Sequence, residues 1–202
     1  MEDLINRVLD TVPTYKDYDS LIKIAQEASK LKIKSKVLIL GPGQGAEAIV
    51  IKKMCPSCSI TVVDKWNEWI DRGLMNTFGL NLCDSFIGYC EVFNVNIEQV
   101  ITDDVFKSEV LSGLGKDWDF IYYDCRDNKQ GDEYKVIMNM LKHLWSMLND
   151  RGLLMGDDYR CTKPDFAMAP IVNSFFYDTE DAIDFDFNGK GESLYWIVRK
   201  HG

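Results

Sequence analysis

Apolar positions follow two rhythms along this chain. Short, nearly unbroken apolar runs of strand length lie at residues 37–40 (Val-Leu-Ile-Leu), 60–63, 99–102, 119–123 and 153–155, the pattern of strands covered on both faces. Between them the apolar positions recur at three and four. Leu21, Ile24, Ala25, Ala28 and Leu31 do so behind Asp19 and Ser20, which are suited to capping a helix. Residues 46–54 form a second helical stretch, stopped near Pro56, and Ile137, Met140, Leu141, Leu144 and Leu148 mark a third that ends at Asn-Asp-Arg-Gly. Leu4, Ile5, Val8 and Leu9 make a short amphipathic segment ahead of Pro13. The long connection at residues 65–96 carries Trp66, Trp69, Phe78, Phe86, Tyr89 and Phe93, expected as the core of one or two helices. Residues 182–187 and 193–198 flank an Asn-Gly-Lys-Gly turn and read as a terminal β-hairpin.

The first strand breaks into Gly41, Gly43 and Gly45 before the helical stretch that Glu47 opens. Alternate glycines let a backbone turn sharply and approach a ligand with no Cβ in the way, and Gly41, Gly43 and Ala46 satisfy G-x-G-x-x-A, a spacing shared by several nucleotide cofactors. The second strand ends in Asp64, about twenty residues beyond the loop, where an acid accepts hydrogen bonds from both hydroxyls of a ribose. That pairing points to a cofactor carrying adenosine. Trp66 is placed to lie against an adenine face, and Asp103 or Asp104, at the end of the third strand, to hold the adenine amino group. The fourth strand ends in Asp124 and the fifth in Asp157 and Asp158. Strand and helix alternate five times before the hairpin. The expected fold is therefore α/β: a doubly wound, Rossmann-like seven-stranded sheet, mostly parallel, with an antiparallel C-terminal edge hairpin and helices on both faces.

Composition narrows the function classes. With 202 residues, 46% of them hydrophobic, one domain is expected, residues 1–34 being a helical cover and 35–202 the core. A net charge of −9 argues against a nucleic-acid partner. Lys30, Lys32, Lys34 and Lys36 read as a solvated edge, and Asp178, Glu180, Asp181, Asp184 and Asp186 as a solvated rim. No run reaches the length of a membrane span and the opening residues lack a signal-peptide profile, so a cytoplasmic location without a membrane partner is expected. The six cysteines, Cys55-Pro-Ser-Cys58 among them, are then expected to be reduced thiols. His143 reads as structural.

The order of these motifs resembles that of class I S-adenosylmethionine-dependent methyltransferases over nearly the whole chain. Trp-Asp-Phe-Ile-Tyr-Tyr-Asp124 followed by Arg-Gly-Leu-Leu-Met-Gly-Asp157-Asp158-Tyr159 is similar to the small-molecule O-methyltransferases of the catechol, caffeoyl-CoA and antibiotic-sugar types. The resemblance implies that Gly41, Gly43 and Gly45 wrap the methionine part of S-adenosylmethionine, that Asp64 binds its ribose and Asp103 or Asp104 faces its adenine, and that Asp124 contacts the cofactor. It also implies a divalent ion, Mg²⁺ or a similar hard cation, on Asp124, Asp157 and Asp158; an oxygen-only ligand set suits such an ion, which would acidify an acceptor hydroxyl. Two departures stand out. Ile39 and Leu40 occupy the place where the family often carries an acid before the first glycine, and Asp127 stands where it carries a base after the fourth strand. Asp127 becomes the candidate general base beside Asp124.

A nicotinamide-dependent oxidoreductase shares the first βαβ unit but does not account for acids at the fourth and fifth strand ends. An aminopropyltransferase and a catalytically silent cofactor-binding protein share the fold. The expected partner is a small-molecule acceptor, met by residues 65–96, the N-terminal helices and a loop carrying Arg160 and Lys163. The hairpin edge and N-terminal helices are common dimer surfaces in the resembling families, so a homodimer is open.

Overall fold

The computed structural model describes residues 1–14, 16–66, 82–125, 133–159, 168–187 and 195–202. Trp69, Phe78, Asp127, Arg160, Cys161, Lys163 and the turn of the expected hairpin lie outside the described residues. The strands form a seven-stranded sheet in the order β3-β2-β1-β4-β5-β7-β6, and the chain gathers into two compact units, Met1–Ser35 with Gly41–Val105 and Lys36–Leu40 with Phe106–Gly202.

The first unit holds helices α1 (Glu2–Thr11), α2 (Tyr18–Ala28), α3 (Ala46–Met54) and α4 (Leu82–Val92) with strands β2 (Ser59–Asp64) and β3 (Gln99–Thr102). Helix α2 starts one turn earlier than expected because Asp17, not Asp19, is its cap, its carboxylate accepting the Ser20 N–H at 2.7 Å. Its apolar stripe, Leu21, Ile24, Ala25 and Ala28, is fully buried, and α1, α2 and α3 pack on one another. Helix α3 is buried from Ala46 through Lys52. A buried lysine needs partners, and Lys52 has them: its ammonium donates to the Cys58 carbonyl at 2.7 Å and pairs with Glu98 at 2.5 Å. Burial alone would raise the Glu98 carboxyl, but the Ile60 amide and the Lys52 ammonium outweigh it and hold Glu98 below the usual carboxylate value. Strands β2 and β3 run parallel, with Asp64 opposite Thr102. Cys55 and Cys58 are buried free thiols, and burial first, then the neighbouring Cys55, pushes Cys58 up to about 12.

The second unit holds β1 (Lys36–Leu40), α5 (Ser108–Gly113), β4 (Trp118–Tyr123), α6 (Glu133–Met147), β5 (Leu148–Gly156), α7 (Ala169–Tyr177), β6 (Ala182–Phe187) and β7 (Trp196–Lys200). Val37, Leu38, Ile39 and Leu40 are fully buried, as their unbroken apolar run requires. Strands β1, β4 and β5 are parallel neighbours, and β7 pairs antiparallel with both β5 and β6. Strand β5 begins five residues before the apolar run that announced it, because Leu148 pairs with Trp118 across a register shift and Arg151 turns at φ 62° inside the strand. Asp119 fixes that irregular stretch, accepting from Asn149 at 3.0 Å and from the Lys36 amide at 2.8 Å. His143 is exposed on α6. The expected acidic rim is partly tied down: Asp181 accepts from the Trp145 indole at 2.8 Å, and Asp184 pairs with Arg199 at 3.3 Å. Among the described residues no helix is long and apolar enough to cross a membrane.

Gly156 stands opposite fully buried Trp196. A Cβ there would stand 2.6 Å from the Tyr123 carbonyl and tighter still against the Trp196 indole. Backbone on one side and a wedged indole on the other leave nowhere to relax. Gly156→Ala is therefore expected to destabilise the fold by about 1–3 kcal/mol in urea unfolding; an unchanged midpoint would contradict this packing.

Candidate functional site

The glycine loop is built by three residues in left-handed conformation, Gly41 at φ 77°, Gly43 at 52° and Gly45 at 92°, which L side chains adopt at a cost. The Gly41 amide donates to the Val63 carbonyl at 2.9 Å and the Gly45 amide to the Pro42 carbonyl at 2.8 Å, closing a tight turn against β2. At Gly45 conformation and space agree: a Cβ would meet the Phe86 ring at 2.6 Å.

Asp64 is bound into that loop. One carboxylate oxygen accepts the Gly43 N–H at 3.2 Å and the other the Trp66 N–H at 2.7 Å. The Trp66 indole N–H then donates back to the Gly43 carbonyl at 2.9 Å. These three bonds close a ring through Gly43, Asp64 and Trp66. Trp66 itself, at φ 49°, is only 3% exposed and meets Phe86 at 5.7 Å between ring centres. Its indole thus lies beneath the loop as a clamp, a role its place two residues beyond a strand-end acid does not disclose.

Because β2 and β3 are parallel and in register through Asp64 and Thr102, Asp103 and Asp104 emerge at the same strand ends as Asp64. Asp103 accepts the Asp104 N–H at 2.7 Å, and Lys65 pairs with Asp104 at 3.4 Å. Cys83, at the start of α4, meets the Thr102 hydroxyl at 3.9 Å. Burial pushes its thiol up, the Thr102 bond opposes that, and the charges of Asp84 and Asp64 add to it. Cys83 therefore stands beside Thr102, the strand partner of Asp64, a neighbour the sequence pattern missed.

In the second unit, parallel register again sets the acids. Tyr123 stands opposite both Leu40 and Gly156, so Asp124 and Asp157 emerge from adjacent strand ends. The Asp124 amide donates to the Leu40 carbonyl at 2.9 Å. Asp157 is buried, its carbonyl accepting from the Trp196 indole at 3.0 Å. Asp158 turns at φ 60°, and its carbonyl takes the Met168 amide at 2.8 Å. Tyr159, next in line, donates its hydroxyl to Asn173 at 2.9 Å and stacks on Phe187 at 4.4 Å. Asp124, Asp157 and Asp158 line one cavity of about 10 Å³ with Tyr123, Cys125 and Met168. Yet among the described residues no group of three or more Asp, Glu, His or Cys side chains is arranged to hold a metal ion. Asp127, the candidate base, lies outside the described residues.

No protein-family model matches the sequence, and no curated protein does. Solved structures share its fold. A candidate O-methyltransferase from Nostoc punctiforme is 14% identical at a TM-score of 0.65, the match covering 90% of this chain and 56% of that longer one. The O-methyltransferase TomG of Streptomyces achromogenes, involved in tomaymycin synthesis and solved with S-adenosylmethionine, is 10% identical at 0.68, covering 100% and 91%. An rRNA methylase from Streptococcus thermophilus is 9% identical at 0.64, covering 94% and 100%. At such identities the likeness establishes the Rossmann-like fold alone.

The ring of bonds through Trp66 has a direct test. Trp66→Phe keeps an apolar ring but removes the donor to the buried Gly43 carbonyl, so stability should fall by about 1–3 kcal/mol and amide exchange at Gly43 and Gln44 should accelerate. Unchanged stability and exchange would show that the indole bond does not hold the loop.

Proposed function

We propose that this chain is an S-adenosylmethionine-dependent methyltransferase acting on a hydroxyl of a small molecule. The observation that carries the reading is the left-handed glycine loop tied through Gly43 to Asp64 at the end of the next strand. That arrangement brings a side-chain-free backbone and a fixed carboxylate together, the combination an adenosine-bearing ligand needs. The fold likeness to O-methyltransferases supports methyl transfer. The net charge of −9 favours a small acceptor over RNA, despite the likeness to an rRNA methylase.

The residues fit the cofactor's chemistry in the first unit. Asp64 accepts from the ribose hydroxyls, its orientation set by the Gly43 and Trp66 amides. Gly41, Gly43 and Gly45 let the loop backbone approach the methionine part. Asp103 and Asp104, emerging beside Asp64, face the adenine. When bound, the cofactor supplies a methyl group on a positively charged sulfur, open to attack by an acceptor oxygen. Asp124 is the described carboxylate assigned to the reacting groups, and Asp127 is the candidate to take the acceptor's proton. An ordinary carboxylate is a weak base for a hydroxyl, so positioning of the acceptor carries more of the rate than proton removal. A divalent ion would acidify the acceptor hydroxyl, but among the described residues no group of three carboxylates, Asp124, Asp157 and Asp158 included, is arranged to hold one.

Isothermal titration tests the proposal. S-adenosylmethionine should bind with micromolar-order affinity, and Asp64→Ala should weaken it by about 1–3 kcal/mol through unpaired ribose hydroxyls. Chelator should leave the affinity and melting temperature unchanged. Stronger binding of a nicotinamide dinucleotide would overturn the methyltransferase reading, equal affinity of Asp64→Ala would remove the ribose role, and loss of binding in chelator would restore the three-aspartate ion site.

A further inference from the structure

Gln44 is the one polar side chain on the loop formed by Gly41, Pro42, Gly43, Gln44 and Gly45. Its amide oxygen is buried and has no hydrogen-bond partner among the described residues. Such an atom is unusual, since buried acceptors are almost always satisfied and an orphan lowers stability. Flexibility of the loop does not explain it. The turn is closed by the Gly45 amide on the Pro42 carbonyl, Gly43 is bonded on both sides by Asp64 and Trp66, and Gly45 packs against Phe86. With both neighbours locked, the direction in which residue 44 leaves the backbone is fixed. The preceding strand offers no alternative acceptor side chain, because Ile39 and Leu40 are apolar and fully buried.

We infer that Gln44 is a cofactor-recognition residue whose amide oxygen accepts a hydrogen bond from the α-ammonium of the methionine part. This rests on the proposed use of S-adenosylmethionine and deepens it. An ammonium presents three donors and no acceptor, so it requires oxygen atoms around it. A carboxamide supplies one without adding a negative charge, and a bond from a charged donor is stronger than one between neutral groups. The inference accounts for the orphaned oxygen: the group that satisfies it arrives with the ligand. It also gives this loop a means to distinguish an adenosyl amino acid from adenosyl compounds lacking the amino group.

Titration of the full chain with two ligands tests this: S-adenosylhomocysteine and the analogue in which its α-amino group is replaced by hydrogen. Wild type should bind S-adenosylhomocysteine the more tightly. Gln44→Ala should weaken S-adenosylhomocysteine about tenfold while leaving the deaminated analogue unaffected, and Gln44→Glu should bind S-adenosylhomocysteine at least as tightly as wild type. Should Gln44→Ala fail to fold, Gln44→Glu decides, since a carboxylate at the ammonium must keep S-adenosylhomocysteine at least as tight as in wild type while giving the analogue no gain, and weaker binding of S-adenosylhomocysteine overturns the inference. Equal losses on both ligands would mean a damaged loop, and no loss on either would mean a side chain facing elsewhere; both overturn the inference. Wild type binding neither ligand would instead remove the cofactor assignment on which the inference stands.

Discussion

The ring of hydrogen bonds joining Gly43, Asp64 and Trp66 is the constraint around which the candidate site is organised. A loop with three left-handed glycines has little conformational preference of its own and loses much backbone entropy on folding. Three bonds at 2.7–3.2 Å compensate by fixing both polar groups of Gly43. They couple the loop to the Asp64 carboxylate, so that the glycine turn and the strand-end acid are positioned as one. The buried indole supplies the apolar floor, and Phe86 fills the space beside Gly45 that any side chain would need.

Parallel pairing does the rest with little side-chain cooperation. Adjacent strands in register deliver their terminal residues to neighbouring positions, which is why Asp103 and Asp104 emerge beside Asp64, and Asp157 beside Asp124, although many residues separate each pair in the chain. Carboxylates so delivered repel one another unless something intervenes. In the first unit Lys65 and backbone amides do so. In the second, the Asp157 and Asp158 carbonyls are anchored by Trp196 and Met168, so the backbone there is held independently of what the carboxylates bind.

The strands and the glycine loop were legible because they depend on local rules: unbroken apolar runs, alternating glycines and an acid at a strand end. The mostly parallel sheet followed from alternation of strand and helix, and the antiparallel edge from the final hairpin pattern. What escaped depends on tertiary partners. The start of β5 was hidden because Leu148, Asn149 and Arg151 read as a helix end and turn, while pairing with Trp118 and the Asp119 bonds draw them into a strand. The cap of α2 moved to Asp17 because two acids stand near that helix start and only geometry selects between them. Trp66 carried an aromatic signal that a ligand face and a buried clamp satisfy equally well. Gln44 carried no signal, since a polar residue between glycines is ordinary until its oxygen is found buried and unpartnered.

The central claim is that the Gly43, Asp64 and Trp66 ring exists to present a carboxylate to ribose. A crystal structure of the protein grown with S-adenosylhomocysteine tests it most directly. Both ribose hydroxyls should lie within hydrogen-bonding distance of Asp64, with the Gly43 amide still donating to the same carboxylate. Ligand density elsewhere, or a ribose turned away from an Asp64 that still holds Gly43 and Trp66, would reduce the ring to a structural brace and contradict the account.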